Sequence, residues 1–387
     1  MARTPIAARP GSTISLRFSA GPGSWRSPAA VIAGSVSGVV RSGRCLFVSS
    51  DQTATVERLT ADDTETPSAY RDHLSYRLNN FVTLPQRGRE KDTEVDLEGI
   101  DVQWLGPDTG YLWLIGSHSW ARGQVKKKAT VKEAIKSLES VDLDRNRRVL
   151  LRIPVIVGGD GLPQLVASCP DPTDKKKAIT AGLLGDLAGA MAKDDHLKPF
   201  MPLRRKGKKL TVIPGKDNGL DVEGLAVTGD GRVYVGLRGP VLRGWAVVLE
   251  LRVETAGTLK KGQRLRLPAD GEPFRKHFLD LGGLGVRELF VDGDDLVVLA
   301  GPTMMLDGPV RLLRWPGGAT AGSASLVRSD DLQLLYQLPY GNGDDHPEGF
   351  TRIGTGNTAR LLLVYDSPAG PRQPSKDEVL ADLFPWP

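Results

Sequence analysis

The sequence predicts an all-β protein, a single β-propeller of four-stranded blades, on three observations. A short phrase returns along the chain as Asp96-Leu97-Glu98-Gly99-Ile100, Asp221-Val222-Glu223-Gly224-Leu225, Val286-Arg287-Glu288-Leu289-Phe290 and Pro347-Glu348-Gly349-Phe350, with Ser37-Gly38-Val39 as a copy lacking the acid. Its copies lie about 60 residues apart from Ser37 to Glu98, from Glu223 to Glu288 and from Glu288 to Glu348, and about twice that from Glu98 to Glu223, against roughly 40–50 residues for common propeller blades. Finally, 45 glycines and 27 prolines divide the chain into short Val/Leu/Ile clusters flanked by turn residues, a pattern of strands rather than helices. At 387 residues the chain is long enough for two domains or one large ring, and the repeat favours the ring.

Residues 1–30 precede the first copy and contain the strand-like 13–18, while only a partial unit follows Glu348. Pairing these remnants in one sheet would close the ring and hide the edges that a linear stack exposes. Residues 1–30 are therefore expected to supply a closing strand to a propeller spanning 31–387. The first blade reads as strands at 37–40, 44–49, 54–59 and 74–84. The second reads as 100–105, 111–116, 148–157 and 209–213, interrupted by insertions at 121–147 and 170–208 in which 130–140 and 175–192 have helical composition. In the third, 222–228 alternates, Gly229-Asp230-Gly231 supplies a turn with glycine for positive φ, and 232–237, 245–253 and 276–281 follow. The fourth repeats the scheme at 288–291, 296–300, 310–315 and 332–338. Taking the double interval as one interrupted blade makes five blades; a sixth near 163–168 is the alternative.

No run approaches 18 apolar residues, so no membrane-spanning helix is expected. The first ten residues carry arginines but no apolar core of signal-peptide length, and two cysteines, Cys45 and Cys169, suit a reducing compartment; both point to the cytoplasm. Net charge is +5, and Lys126-Lys127-Lys128, Lys132, Lys136, Lys175-Lys176-Lys177 and the run from Arg204 to Lys209 all fall in the long interval. A basic extension of this kind can meet phosphates or an acidic partner. Aromatic residues for base stacking are not interleaved with these lysines, which favours solvated loops over a nucleic-acid surface.

In a propeller the first strand of each blade borders the central channel, so Glu98, Glu223, Glu288 and Glu348 are expected to converge there. The ends of the second strands form a rim whose frame repeats while its polar residue changes, from Asp51 to Ser117 or His118, Arg238 and Asp366. Asp345 and His346 cluster beside Glu348. Unit charges about 4 Å apart repel by roughly 4 kcal/mol at an effective dielectric near 20, so converging acids need a metal, basic neighbours or raised pKa values. Oxygen ligands from Glu98, Asp101, Glu223 and Glu348, with Asp51 and Asp366 in reach, suit Ca²⁺ or Mg²⁺. In the other reading each glutamate accepts backbone amides of the next blade and fastens blade to blade. Arg238 is expected to pair a channel glutamate or an anionic ligand. No nucleophile elbow, P-loop or dinucleotide fingerprint occurs, so no catalytic residue can be named.

Leu220-Asp221-Val222-Glu223-Gly224-Leu225-Ala226, the stretch from Gly236 to Ala246 and Asp195-His196-Leu197-Lys198-Pro199-Phe200 resemble an uncharacterised bacterial family of unknown function, over roughly residues 30 to 370. The resemblance implies a β-propeller. More distantly, the Glu-Gly-Leu/Ile phrase is similar to that of phytase-like esterase propellers and of senescence-marker-type lactonases, which hold a divalent ion in the channel. Glu98, Glu223, Glu288 or Glu348 would stand in for its acids; the family's Asn ligand has no counterpart. Two functions are thus expected: a cytoplasmic module that binds a protein partner or anionic ligand through its rim and basic insertion, or a divalent-metal-dependent phosphoesterase or lactonase working in the channel.

Overall fold

The computed structural model describes residues 10–19, 29–63, 67–86, 94–126, 128–201 and 212–387, and is an all-β propeller. Among the described residues five strands follow one another around the centre: Val36–Ser42, Leu97–Trp104, Asp221–Val227, Gly285–Asp292 and His346–Ile353. Each packs on the next and the last packs on the first. Every inner strand pairs antiparallel with a second strand (Cys45–Ser50, Thr109–Gly116, Val233–Leu242, Asp295–Gly301 and Arg360–Asp366). Third strands follow at Thr55–Ala61, Leu150–Val157, Trp245–Leu251, Val310–Trp315 and Glu378–Pro385.

The outermost strands differ most. Ser12–Arg17 pairs antiparallel with Glu378–Pro385, Ser12 against Leu383 and Arg17 against Glu378, and touches Ala69–Arg77 in parallel through Ser15 and Leu16. The first and last sheets are thereby continuous, and the chain's two ends close the ring. Apolar side chains from adjacent sheets meet in a core layer at each seam. Trp113 and Ile115 meet Val222 and Leu225 between the second and third sheets, and Ile14, Leu16 and Val36 meet Leu362 and Val379 across the closure.

Three expectations shift, two of strands and one of a helix. The first outer strand is Ala69–Arg77, and Leu78–Asn80 already turns, so 74–84 lay too far along. Residues 175–192 are not one helix: Ala178–Thr180 and Gly182–Leu184 are strands and only Leu187–Met191 is helical. Tertiary burial overrides composition here, because Gly182–Leu184 fills the fourth place of the second sheet, Leu150 against Leu184, and buries Leu183 and Leu184. The strand expected at 209–213 falls mostly outside the described residues, and Val212 and Ile213 are irregular. Near the alternative blade, Pro163–Leu165 pairs with Leu150–Val157 and Ser168–Pro170 with Ala178–Thr180. The insertion helix expected at 130–140 forms as Val131–Glu139, started by a capping box between Thr130 and Glu133.

Candidate functional site

The repeated phrase marks an irregularity in the sheets. Ladder pairing with the second strand slips there in all five inner strands, leaving Ser37, Glu98, Arg287 and Glu348 each bulged and Glu223 beside Gly224 in the third strand. The repeated position is thus Ser37, Glu98, Glu223, Arg287 and Glu348. Glu288 falls one place further on, where the other copies have glycine, which corrects its alignment with the channel acids. The flanking apolar residues decide the register: Val286 and Leu289 pair with Ala300 and Val298 as Val222 and Leu225 pair with Leu237 and Val235.

The glycine after the bulge admits the next inner strand. A Cβ on Gly99 would lie 2.6 Å from Leu225 Cβ and 2.7 Å from the Glu223 carbonyl oxygen, and one on Gly349 would lie 2.9 Å from the Ser37 carbonyl. Glu288 fastens instead of admitting. Its Oε1 accepts the Leu225 amide of the third sheet at 3.1 Å and its own neighbour's amide, from Leu289, at 2.9 Å. Asp101 does the same between the second and third sheets, accepting the Val102 and Val227 amides at 2.7 Å each. Burial, against those amides, lifts Asp101 to about 7. Ser37 donates to the Leu97 carbonyl of the next strand.

Glu98, Glu223 and Glu348 do converge, offering oxygens within 4.8 Å of one another in a buried group. Basic side chains lie among them. Arg287 Nη1 reaches both Glu348 oxygens, at 2.7 and 2.6 Å, and Glu223 Oε2 at 3.2 Å, while Arg238 Nη1 donates to Glu223 Oε1 at 2.8 Å. Lys216, from the loop before the third inner strand, stands 3.6 Å from Glu223. Burial alone would raise Glu223, but Arg238, Arg287 and Lys216 overcome it and pull its pKa down to about 2. At Glu348 burial outweighs Arg287 and lifts the carboxyl to about 7. Burial, followed by Asp96 and Glu223, pushes Glu98 well above the usual carboxylate range.

Around this group the mouth is acidic. Burial, with Asp366 and Asp96 nearby, lifts Asp51 to about 8. Asp96 accepts from the Ser117 hydroxyl and lies 3.1 Å from Arg147 Nη1. Arg238 also donates to the carbonyls of Pro302, Thr303 and Met304, tying the loop of the fourth sheet to the third. The remaining predicted residues have other duties. His118, 1 % exposed in a left-handed backbone, contacts the Gly116 carbonyl at 2.8 Å, and burial holds it neutral with a pKa near 4. Asp345 accepts from Ala369 and Arg372 and braces a loop of the fifth sheet, while His346 contacts Asp307 at 3.3 Å and ties the fifth sheet to a loop of the fourth.

A divalent cation does not fit this group as it stands. Two of its three carboxylates already share the Arg287 guanidinium, whose Nη1 lies 2.6 Å from Glu348 and 3.2 Å from Glu223, so a cation would have to displace or face that positive charge. Arg287 and Lys216 escaped the sequence reading. The Val-x-x-Leu frame common to 222–225 and 286–289 signals Arg287; nothing repeated surrounds Lys216.

The insertion helix stands at the same end of the ring. Arg122 links it to the mouth, donating to the Leu138 carbonyl and, at 2.7 Å, to Asp217, the neighbour of Lys216. Its apolar residues Val131, Ile135 and Leu138 are 77, 55 and 49 % exposed and fall on one face at helical spacing.

No curated protein matches the chain. Among solved structures it is similar to the major Malassezia sympodialis allergen Mala s 1, at 10 % identity and a TM-score of 0.41 over 92 % of this chain and 93 % of that one. It is also similar to the PQQ-bound aldose sugar dehydrogenase of Streptomyces coelicolor, at 13 % identity and a TM-score of 0.36 over 98 % of this chain and 99 % of that one. Over residues 35–382 the sequence matches DUF3616, whose description is protein of unknown function, and the chain belongs to that family.

Proposed function

We propose that this propeller is a binding module whose ligand face is the acidic mouth and the insertion helix beside it, and that the ligand is a protein segment carrying a cationic side chain among apolar ones. The observation that carries this reading is the stripe of Val131, Ile135 and Leu138, exposed on a helix tethered to the mouth. An amphipathic helix covers its apolar face when a partner supplies the matching surface. Met304, Met305 and Leu306, at the end of the loop that Arg238 grips, add exposed apolar surface at the same end. The carboxyls of Asp51, Asp96, Glu98 and Asp366 favour a cationic group over an anionic one at the rim, because a cation would stabilise the ionised forms that burial and mutual repulsion disfavour in Asp51 and Glu98. Binding is also favoured over metal-dependent hydrolysis, because Arg287 occupies the place between Glu223 and Glu348 where such chemistry would need its cation. A cytoplasmic setting suits the two free thiols, and no helix among the described residues is long and apolar enough to cross a membrane.

Selection from a displayed random-peptide library tests the reading. Enriched peptides should combine Lys or Arg with apolar residues and should lose at least tenfold in affinity for the Ile135→Glu and Asp51→Asn variants. Enrichment of acidic peptides, or binding indifferent to both variants and to removal of residues 121–145, would overturn it.

A further inference from the structure

The opposite end of the ring, where the inner strands finish, holds a second site that owes nothing to the mouth. Arg152 lies opposite Trp113 in the second sheet, and its guanidinium stacks 4.4 Å from the Tyr111 ring and 5.5 Å from the Trp113 ring. Nη2 donates to Thr255 Oγ1 at 3.3 Å, and the buried Nε has no acceptor. Among the described residues no carboxylate pairs with it. The side chain borders a cavity of about 280 Å³ between the second and third sheets, with Leu105, Tyr111, Trp113, Val253 and Pro268 as apolar walls. Two acids also line the cavity, and both are already engaged: Asp230 by Arg232 and Arg252, Glu254 by Arg266.

The buried arginines of the mouth each have an acid beside them, Arg238 at Glu223 and Arg287 at Glu348. An unpaired guanidinium withdrawn from water is costly, and burial accordingly depresses the Arg152 pKa. The terminal edge formed by Nη1 and Nη2 offers the fork that a carboxylate accepts bidentately, while the stacked rings hold the guanidinium plane in place. Cavities for drug-sized ligands begin near about 300 Å³, so this one suits a single ring or a short chain. We infer that the cavity at Arg152 is a binding site for a small organic carboxylate with an apolar body, its carboxylate on the Arg152 edge and its body against Tyr111 and Trp113.

The full chain is titrated with sodium benzoate, with inorganic phosphate and with sodium chloride at matched ionic strength, following melting temperature and calorimetric heat. Benzoate should raise the melting temperature saturably beyond the chloride control. Arg152→Met should abolish that rise, and Arg152→Lys, which keeps the charge and loses the fork, should weaken benzoate at least tenfold. A benzoate response equal to chloride, or one undiminished in either variant, would overturn the site. So would a saturable response to phosphate with none to benzoate. Should Arg152→Met not fold, the Arg152→Lys affinity and the quenching of tryptophan emission by benzoate, lost in Trp113→Phe, decide in the same sense.

Discussion

Arg287 stands where three inner strands carry glutamate and a fourth carries Ser37, and that one substitution changes what the ring is. Three buried carboxylates without it would share a small space with Arg238 and Lys216 as their cations; with it, Glu348 and Glu223 are bridged from within. Removing one partner of a buried ion pair typically costs about 3–5 kcal/mol, because the abandoned charge stays buried. Arg287→Met should therefore lower unfolding free energy in urea by about that much, and Ca²⁺ should restore part of the loss in the variant while leaving the native protein unchanged. A variant as stable as the native protein would show that the pair is not what holds the ring. Gly99 makes the complementary point about backbone. Its Cβ would meet the Glu223 carbonyl and Leu225 Cβ, neither of which can swing aside, so Gly99→Ala should cost about 1–3 kcal/mol or more in the same assay.

Among the elements, the strand Ser12–Arg17 and the helix Val131–Glu139 make opposite bargains with water. The strand buries Ile14 and Leu16, with Phe18 just beyond its end, in the closure layer and covers the outer edge of the last sheet. Leu16→Ala should cost about 2–5 kcal/mol, as truncation of a fully buried leucine does. The helix buries none of its residues. Ile135→Ala should shift stability by no more than about 0.5 kcal/mol, the range of exposed substitutions. Chemical denaturation of the two variants side by side checks both; equal losses would mean that the helix packs against the ring after all, which would also undercut its role as a binding surface.

For the whole molecule, the buried acids set how stability follows pH. Asp51, Glu348 and Asp101 titrate at about 8, 7 and 7 in the folded chain, against about 4 for the same groups when unfolded. Between those limits the folded state binds more protons than the unfolded state, so stability falls as pH rises through the window. Glu223, at about 2, has the opposite sign: its contribution is complete above its unfolded value and disappears only in strong acid. The melting temperature should therefore be higher at pH 5.5 than at pH 8.5, and Asp51→Asn should reduce the difference. A melting temperature that rises over that interval in scanning calorimetry would contradict the assignment.

How far the chain could be read without its structure follows from the range of the forces involved. The inner and second strands of each sheet, the turn at Gly231 and the closing role of 13–18 are written in local alternation and turn chemistry, and the helix at 130–140 in its composition; these were legible. The fourth strand of the second sheet was not, because Gly182–Leu184 is a strand only where Leu150–Val157 offers it an edge and a core to bury Leu183 and Leu184. The convergence of Glu98, Glu223 and Glu348 was legible from spacing. That Glu288 fastens two sheets while Arg287 enters the ring was decided by a one-residue bulge, which turns successive side chains to opposite sides. The sequence by itself determined a closed ring of repeated sheets with acids at its centre. Only the tertiary structure decided which of those acids meet, which cation neutralises them, and that Arg152 faces a cavity without one, because charge pairing acts between residues that the sequence holds far apart.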